Sequence, residues 1–312
     1  MSINDKFIFK DRKPEIPEFI IEREEEEQEV QEVPEKKLSF LERNKWLRRF
    51  LKALAVVLLV AMTLGAYKAW NYFNNIGVSV STTPSENINK LKTAPIKETA
   101  RVEHTSDSLL GVELDFYAIH GLRASIEFKE PKLTDRSVYL YCRSVDHTAN
   151  QTYLGTLVVN GADKQSDRSR LGYMAMVDDR MVIGVSRSEK VKDYVMENGG
   201  SYFRQFVLVS NGVIPAQFEL HGKVERKAIG RMVKEEKDSL YFISTRNKET
   251  LWDFADALRE YGFIDAIYIT GGADYCYYRT ADGQRYDIGD INDYPHKKWK
   301  GVIPWLVMRK IE

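Results

Sequence analysis

The sequence predicts an α+β fold of mostly antiparallel strands with two main helices, behind a single N-terminal transmembrane helix. Three observations carry this. From Gly111 onward, short runs rich in β-forming residues recur, several alternating polar with apolar. Two stretches, Glu189–Glu197 and Thr250–Tyr261, carry helical signals. Ala53–Tyr67 is a run of 15 residues without a charge.

Taken in order, residues 1–45 read as a disordered acidic tail. Pro14, Pro17 and Pro34 interrupt it, and Ile21–Glu29 is dominated by glutamates with little to bury. Such a tail is usually just solvated; Phe19, Ile20 and Ile21 make it a docking segment if it has a protein partner. Residues 46–73 read as the transmembrane helix and its flanks, with residues 50–72 in contact with the membrane. Lys52 and Lys68 can snorkel to the headgroups, and Trp46, Trp70 and Tyr72 suit the interface. A cleavable signal peptide would need a leader of about fifty residues, and no small-x-small site follows. Arg43, Lys45, Arg48, Arg49 and Lys52 crowd the N-terminal flank, so the positive-inside rule puts the tail in the cytoplasm and the rest outside it. That layout suits a bacterial inner membrane with a periplasmic C-terminal domain, and equally a type II protein of a eukaryotic secretory membrane. Lys+Arg and Asp+Glu number 46 each, so no global charge points to nucleic acid.

Residues 74–110, rich in Ser, Thr, Asn and Lys, read as a stalk. Residues 111–312 read as the folded domain. Expected strands are Val112–Ile119, Ala124–Phe128, Ser137–Cys142, Leu157–Val159, Tyr173–Val177 and Met181–Ile183, the last two about an Asp178-Asp179 turn. After the Glu189–Glu197 helix come strands at Gln205–Val209 and Leu240–Ser244, with an Asn211-Gly212 hairpin turn between them. Tyr277–Arg279 and Arg285–Ile288 form a hairpin, and Pro304–Arg309 closes the fold.

The domain is organised around Thr250–Tyr278. Thr250 and Asp253 have capping-box spacing, Leu251, Phe254, Ala255 and Leu258 share a helical face, and Gly262 stands where a left-handed cap belongs. Ile264, Ala266, Ile267 and Ile269 then make a short buried strand ending in Gly271-Gly272. On the residues alone, this is either a site-building turn or an ordinary one.

The helix, strand and glycine turn resemble the signature of the phosphodiester glycosidase family (N-acetylglucosamine-1-phosphodiester α-N-acetylglucosaminidase-like, the uncovering-enzyme type). Ala255–Leu258, Gly262, Ala266, Ile269, Gly271 and Gly272 match it. The family's Asn stands here as Tyr268, its Asp as Thr270, its third Gly as Ala273, and its Ser pair as Asp274 and Tyr275. Arg226–Gly230 is similar to the Arg-Thr-Ala-x-Gly element, Phe206–Gly212 to the Leu-Val-x-x-Gly hairpin, and Leu157–Gly161 to the Asn-Gly-Gly-Phe-Phe segment. The resemblance covers about residues 158–309 and implies a glycosidase acting on a sugar-phosphate diester or envelope glycan. With the acidic and serine positions replaced, the alternative is a non-catalytic binding or structural component of an envelope assembly.

The resemblance makes Arg226 and the Gly271-Gly272 amides the phosphate donors, Thr270 and Asn160 further binding positions, and Asp274 the nearest catalytic carboxylate, with Asp265 and Asp287 as outsiders. Thr270 cannot stand in for a carboxylate, because a hydroxyl does not ionise at neutral pH. Arg226 reads otherwise as a surface residue before a strand, and Asp274 as a turn residue. The five histidines, at 104, 120, 147, 221 and 296, have no ligand spacing, so neither a metal nor a cofactor is expected. Cys142 and Cys276 form one disulfide joining distant strands or remain two buried thiols. Asn150-Gln151-Thr152 is a glycosylation sequon, and Tyr294–Trp299 a loop of aromatic and basic residues, either solvated or able to hold an anionic sugar.

Overall fold

The computed structural model describes residues 44–73, 83–94, 98–146, 148, 152–215, 222–234, 236–272, 274–289 and 303–311. The acidic tail up to residue 43, Asn150 of the sequon, Ala273 and the 294–299 loop lie outside the described residues. The chain divides into two units, Met1–Ala61 and Met62–Glu312.

Helix α1 (Lys45–Phe73) begins in the first unit. From Trp46 to Trp70 it is long and apolar enough to cross a membrane, and none of that stretch is buried. Those 25 residues rise about 37 Å, against about 30 Å of hydrocarbon. The helix thus extends well past the uncharged 15-residue run on both sides.

The second unit is α+β. It contains helix α2 (Pro84–Lys92), then strands β1 (Arg101–Leu109), β2 (Val112–His120), β3 (Leu122–Glu127), β4 (Val138–Arg143), β5 (Leu157–Val159), β6 (Ala162–Gln165), β7 (Gly172–Val177) and β8 (Arg180–Val185). Helix α3 (Lys190–Glu197) follows, then β9 (Ser201–Gln205), β10 (Val207–Ser210), β11 (Arg226–Lys234) and β12 (Lys237–Thr245). Helix α4 (Leu251–Tyr261) leads to β13 (Asp265–Gly271), β14 (Cys276–Arg279), β15 (Arg285–Ile288) and β16 (Trp305–Lys310). The strands form three sheets, ordered β1-β2-β12-β11-β13-β10, β15-β14-β4-β16-β3 and β6-β5-β9-β7-β8. The pairings within all three are antiparallel.

One apolar cluster draws Phe242 and Ile267 from the first sheet, Leu140 and Met308 from the second, and Met174 and Phe203 from the third. The core therefore sits where the three sheets face one another. Helix α4 covers the other side of the first sheet. Thr250 caps it by accepting from the Asp253 amide at 3.0 Å, and Gly262 ends it at φ 101°, a left-handed position that costs glycine little. Its face of Leu251, Phe254, Ala255, Ala257 and Leu258 is buried against Phe116, Ala228 and Ala266.

Part of the expected stalk is folded. Thr83 and Glu86 make a capping box that starts α2. Asn87 and Leu91 are buried, and the Asn87 amide donates to the Tyr173 hydroxyl at 2.5 Å and to the Ile183 carbonyl at 3.2 Å. Strand β1 pairs with β2 from Arg101 through Leu109. Folded elements thus begin before Gly111, and α2 is a short helix beside the two main ones. Residues 103–108 of β1 are exposed, which is why their polar composition reads as linker. Pairing of their backbone, not burial of their side chains, holds them.

Candidate functional site

Strand β13 directs Ile267 and Ile269 into the three-sheet core, and Ala266 and Tyr268 toward α4. It ends at Gly271, opposite Arg226 of β11. A Cβ on Gly271 would lie 2.3 Å from the Tyr268 hydroxyl, so a larger residue there would displace that ring end; Gly272, at φ 95°, is favoured by conformation. The β11 register shifts between Arg226 and Ala228, and at that irregularity the Lys227 ammonium donates to the Gly272 carbonyl at 2.8 Å. The Gly272 amide in turn donates to the Glu225 carbonyl at 2.8 Å.

Arg226 is buried, not a surface residue. Its Nε donates to the Glu249 carbonyl at 2.9 Å, Nη2 donates to the Gly222 carbonyl, and the guanidinium lies 5.8 Å from the Tyr268 ring centroid. Those contacts fasten the β11 start to the segment before α4. The groups expected to hold a phosphate, Arg226 and the Gly272 amide, are thus engaged by the chain itself.

Asp274 is held by a residue that sequence reasoning did not single out. Arg143, closing β4, donates from Nη1 to both Asp274 carboxylate oxygens at 2.9 and 3.0 Å. Its Nη2 lies 3.3 Å from Asp146. One guanidinium thus carries two carboxyls. Burial, opposed by Arg143 and reinforced by the Asp274 charge, pushes the Asp146 carboxyl up to about 6. Lys227 completes the cluster. It is 2% exposed, and among the described residues its ammonium pairs with no carboxylate. Beside it on β13, Thr270 is fully buried, and among the described residues its hydroxyl has no hydrogen-bond partner.

Asn160 lies apart from these. It is an exposed turn residue at φ 50° between β5 and β6 in the third sheet, and no hydrogen bond or ion pair joins its side chain to the cluster. Asp265 is tied to Arg231 at 2.8 and 3.0 Å, and Asp287 accepts from the Tyr275 hydroxyl at 2.8 Å. Arg143 and Asp146 are 131 and 128 positions from Asp274, and no spacing in the sequence connects them. Lys227 was within reach: it sits between two residues already matched to a motif. Among the described residues, no group of three His, Cys, Asp or Glu side chains is placed to hold a metal ion.

No protein-family model matches the sequence, and no curated protein matches it. Among solved structures, the catalytic domain of zebrafish N-acetylglucosamine-1-phosphodiester α-N-acetylglucosaminidase, auto-inhibited by its pro-peptide, superposes with a TM-score of 0.46 at 14% identity. The match covers 71% of this chain and 86% of that one. A hypothetical protein from Synechocystis superposes with a TM-score of 0.48 at 9% identity, over 67% of this chain and 62% of that one. These are weak likenesses of fold, below the level at which residue roles transfer.

Proposed function

We propose that this is a membrane-anchored protein whose folded unit binds a sugar-phosphate or related envelope glycan at the Gly271-Gly272 turn, through Lys227. The observation that carries the reading is the buried Lys227 ammonium, which among the described residues donates to a backbone carbonyl and forms no ion pair, the Asp146 carboxylate being near enough only to feel its charge. An ammonium out of water without an ion pair is costly, and an anion relieves that cost. The Thr270 hydroxyl adds a donor that has no partner among the described residues, whereas the Arg143 charge is already matched by Asp274. The sequence resemblance at Gly271, Gly272 and Arg226–Gly230 supports a glycan phosphate as that anion.

Turnover is expected to be weak or absent. Asp274 is clamped by Arg143, and Thr270 offers no carboxylate. Asp146 is the group able to deliver a proton near pH 6. Helix α1 is proposed as a single span of the inner membrane, tail inside and domain in the periplasm. Protease added to intact spheroplasts should digest the second unit and spare the tail; a protected domain would reverse the orientation.

The test of function is calorimetry on the full chain in detergent, with a sugar 1-phosphate diester and the same sugar without phosphate. Lys227→Met should weaken diester binding by about 1.5–3 kcal/mol, roughly ten- to a hundred-fold. Robust hydrolysis abolished by Asp274→Asn would overturn the non-catalytic part of the reading. Absence of both binding and turnover would leave the second reading, a structural component of an envelope assembly. That reading is favoured by the internal engagement of Arg226, Asp274 and the Gly272 amide.

A further inference from the structure

The 312-residue chain contains only two cysteines. Cys142 stands next to the end of β4 and Cys276 opens β14, and these strands are antiparallel neighbours in the second sheet. Leu140 lies opposite Tyr278 and Tyr141 opposite Tyr277. Continued one step past the paired residues, that register would set Cys142 opposite Cys276, and each thiol is close enough to feel the other's charge. Directly opposed residues on antiparallel strands have Cα atoms about 4.5–5.5 Å apart, within the roughly 4.4–6.8 Å that a disulfide spans. Both thiols are fully buried in the same cluster, and both are free in the structure. Random placement would seldom set the two cysteines of a chain this long face to face across a ladder.

We propose that Cys142 and Cys276 are oxidised to a cross-strand disulfide that staples together the two segments carrying the Arg143–Asp274 pair. Cys142 immediately precedes Arg143, and Cys276 follows Asp274 by two residues. The bond would fix these strand ends side by side although they lie 134 residues apart (276 − 142). It rests on the proposed location of the domain outside the cytoplasm, where disulfides persist, and not on any ligand.

The chemistry is thiol–disulfide exchange with a protein disulfide oxidant of that compartment. Two S–H bonds are lost, one S–S bond forms between Cys142 and Cys276, and the oxidant's disulfide takes up the two electrons and two protons as a pair of thiols. Burial pushes the Cys276 thiol up to about 12 and the Cys142 thiol well above its usual value. Thiolate is therefore scarce once the core has closed, so the bond must form during folding. In the reduced form the Cys276 thiol donates weakly to the Asp274 carbonyl at 3.5 Å, a contact that oxidation gives up.

The test uses the full chain, inserted in its membrane and quenched with alkylating agent before lysis. The protein is then denatured and treated with a polyethylene-glycol maleimide, with and without prior reduction. The expected result is no modification before reduction and two sites modified after it. Alkylation of both cysteines at the quench, or maleimide addition without reductant, would overturn the proposal. A second measurement addresses the staple: reducing the native protein in detergent should lower its thermal midpoint by roughly 10 °C, because a loop of this length is released in the unfolded chain. An unchanged midpoint would refute the stapling role. Loss of sugar-phosphate binding with the bond intact would count against the functional reading alone.

Discussion

At Asp146 the environment reverses the usual behaviour of an aspartate. The folded state raises its carboxyl to about 6, above the roughly 3.9 of an unfolded chain. The folded protein therefore holds that proton more tightly. Its stabilising contribution is complete below about pH 4 and is lost as pH rises through 6. Asp146→Asn removes the ionisation while leaving Arg143 its two bonds to Asp274. Relative to the parent, the variant should gain stability between pH 4 and pH 7. Urea unfolding at the two pH values measures this, and a difference that does not change with pH would sink the argument.

Helix α4 shows how an element earns its place from two ends and one face. The Thr250 cap and the Gly262 terminus set its length, while the buried face sets its position over the first sheet. Leu258 is fully buried, whereas Trp252 on the opposite side is about half exposed. Leu258→Ala should cost about 2–5 kcal/mol, the range for a core leucine, and more than Trp252→Ala on the half-exposed side. Chemical denaturation of both variants decides it. Equal losses would mean that the helix is buried all round.

For the second unit as a whole, the informative boundary is its start. A chain beginning at Gly111 lacks strand β1, paired to β2 along its full length, and helix α2, with Asn87 and Leu91 in its interior. It also lacks Glu98, whose carboxylate meets Lys237 and His120. Residues 83–312 should therefore melt cooperatively and well above residues 111–312, in which the edge of β2 is bare. Matching melting curves for the two fragments would show that α2 and β1 add nothing to the fold.

Local rules made much of this protein legible from its residues. Capping at Thr250, the left-handed Gly262, the Asn211-Gly212 turn at φ 52° and 70°, and the alternation in β2 depend on neighbours a few positions away. So does the apolar run of α1, which by length and composition is able to cross a membrane. The β1 strand was not legible, because its order comes from backbone pairing and its exposed side chains look like a linker's. The candidate site was legible by half. Gly271, Gly272, Thr270 and Asp274 lie in one short motif, but their electrostatic partners do not. Register between distant strands put Arg143 against Asp274 and brought Cys142 and Cys276 into one cluster, and at the irregularity in β11 Lys227 meets Gly272 while Arg226 meets Glu249. The Arg143–Asp274 encounter spans 131 residues, and that of Lys227 with Gly272 spans 45. Side-chain chemistry along the chain specifies which groups can ionise or bond, and only the packed sheets decide which of them meet.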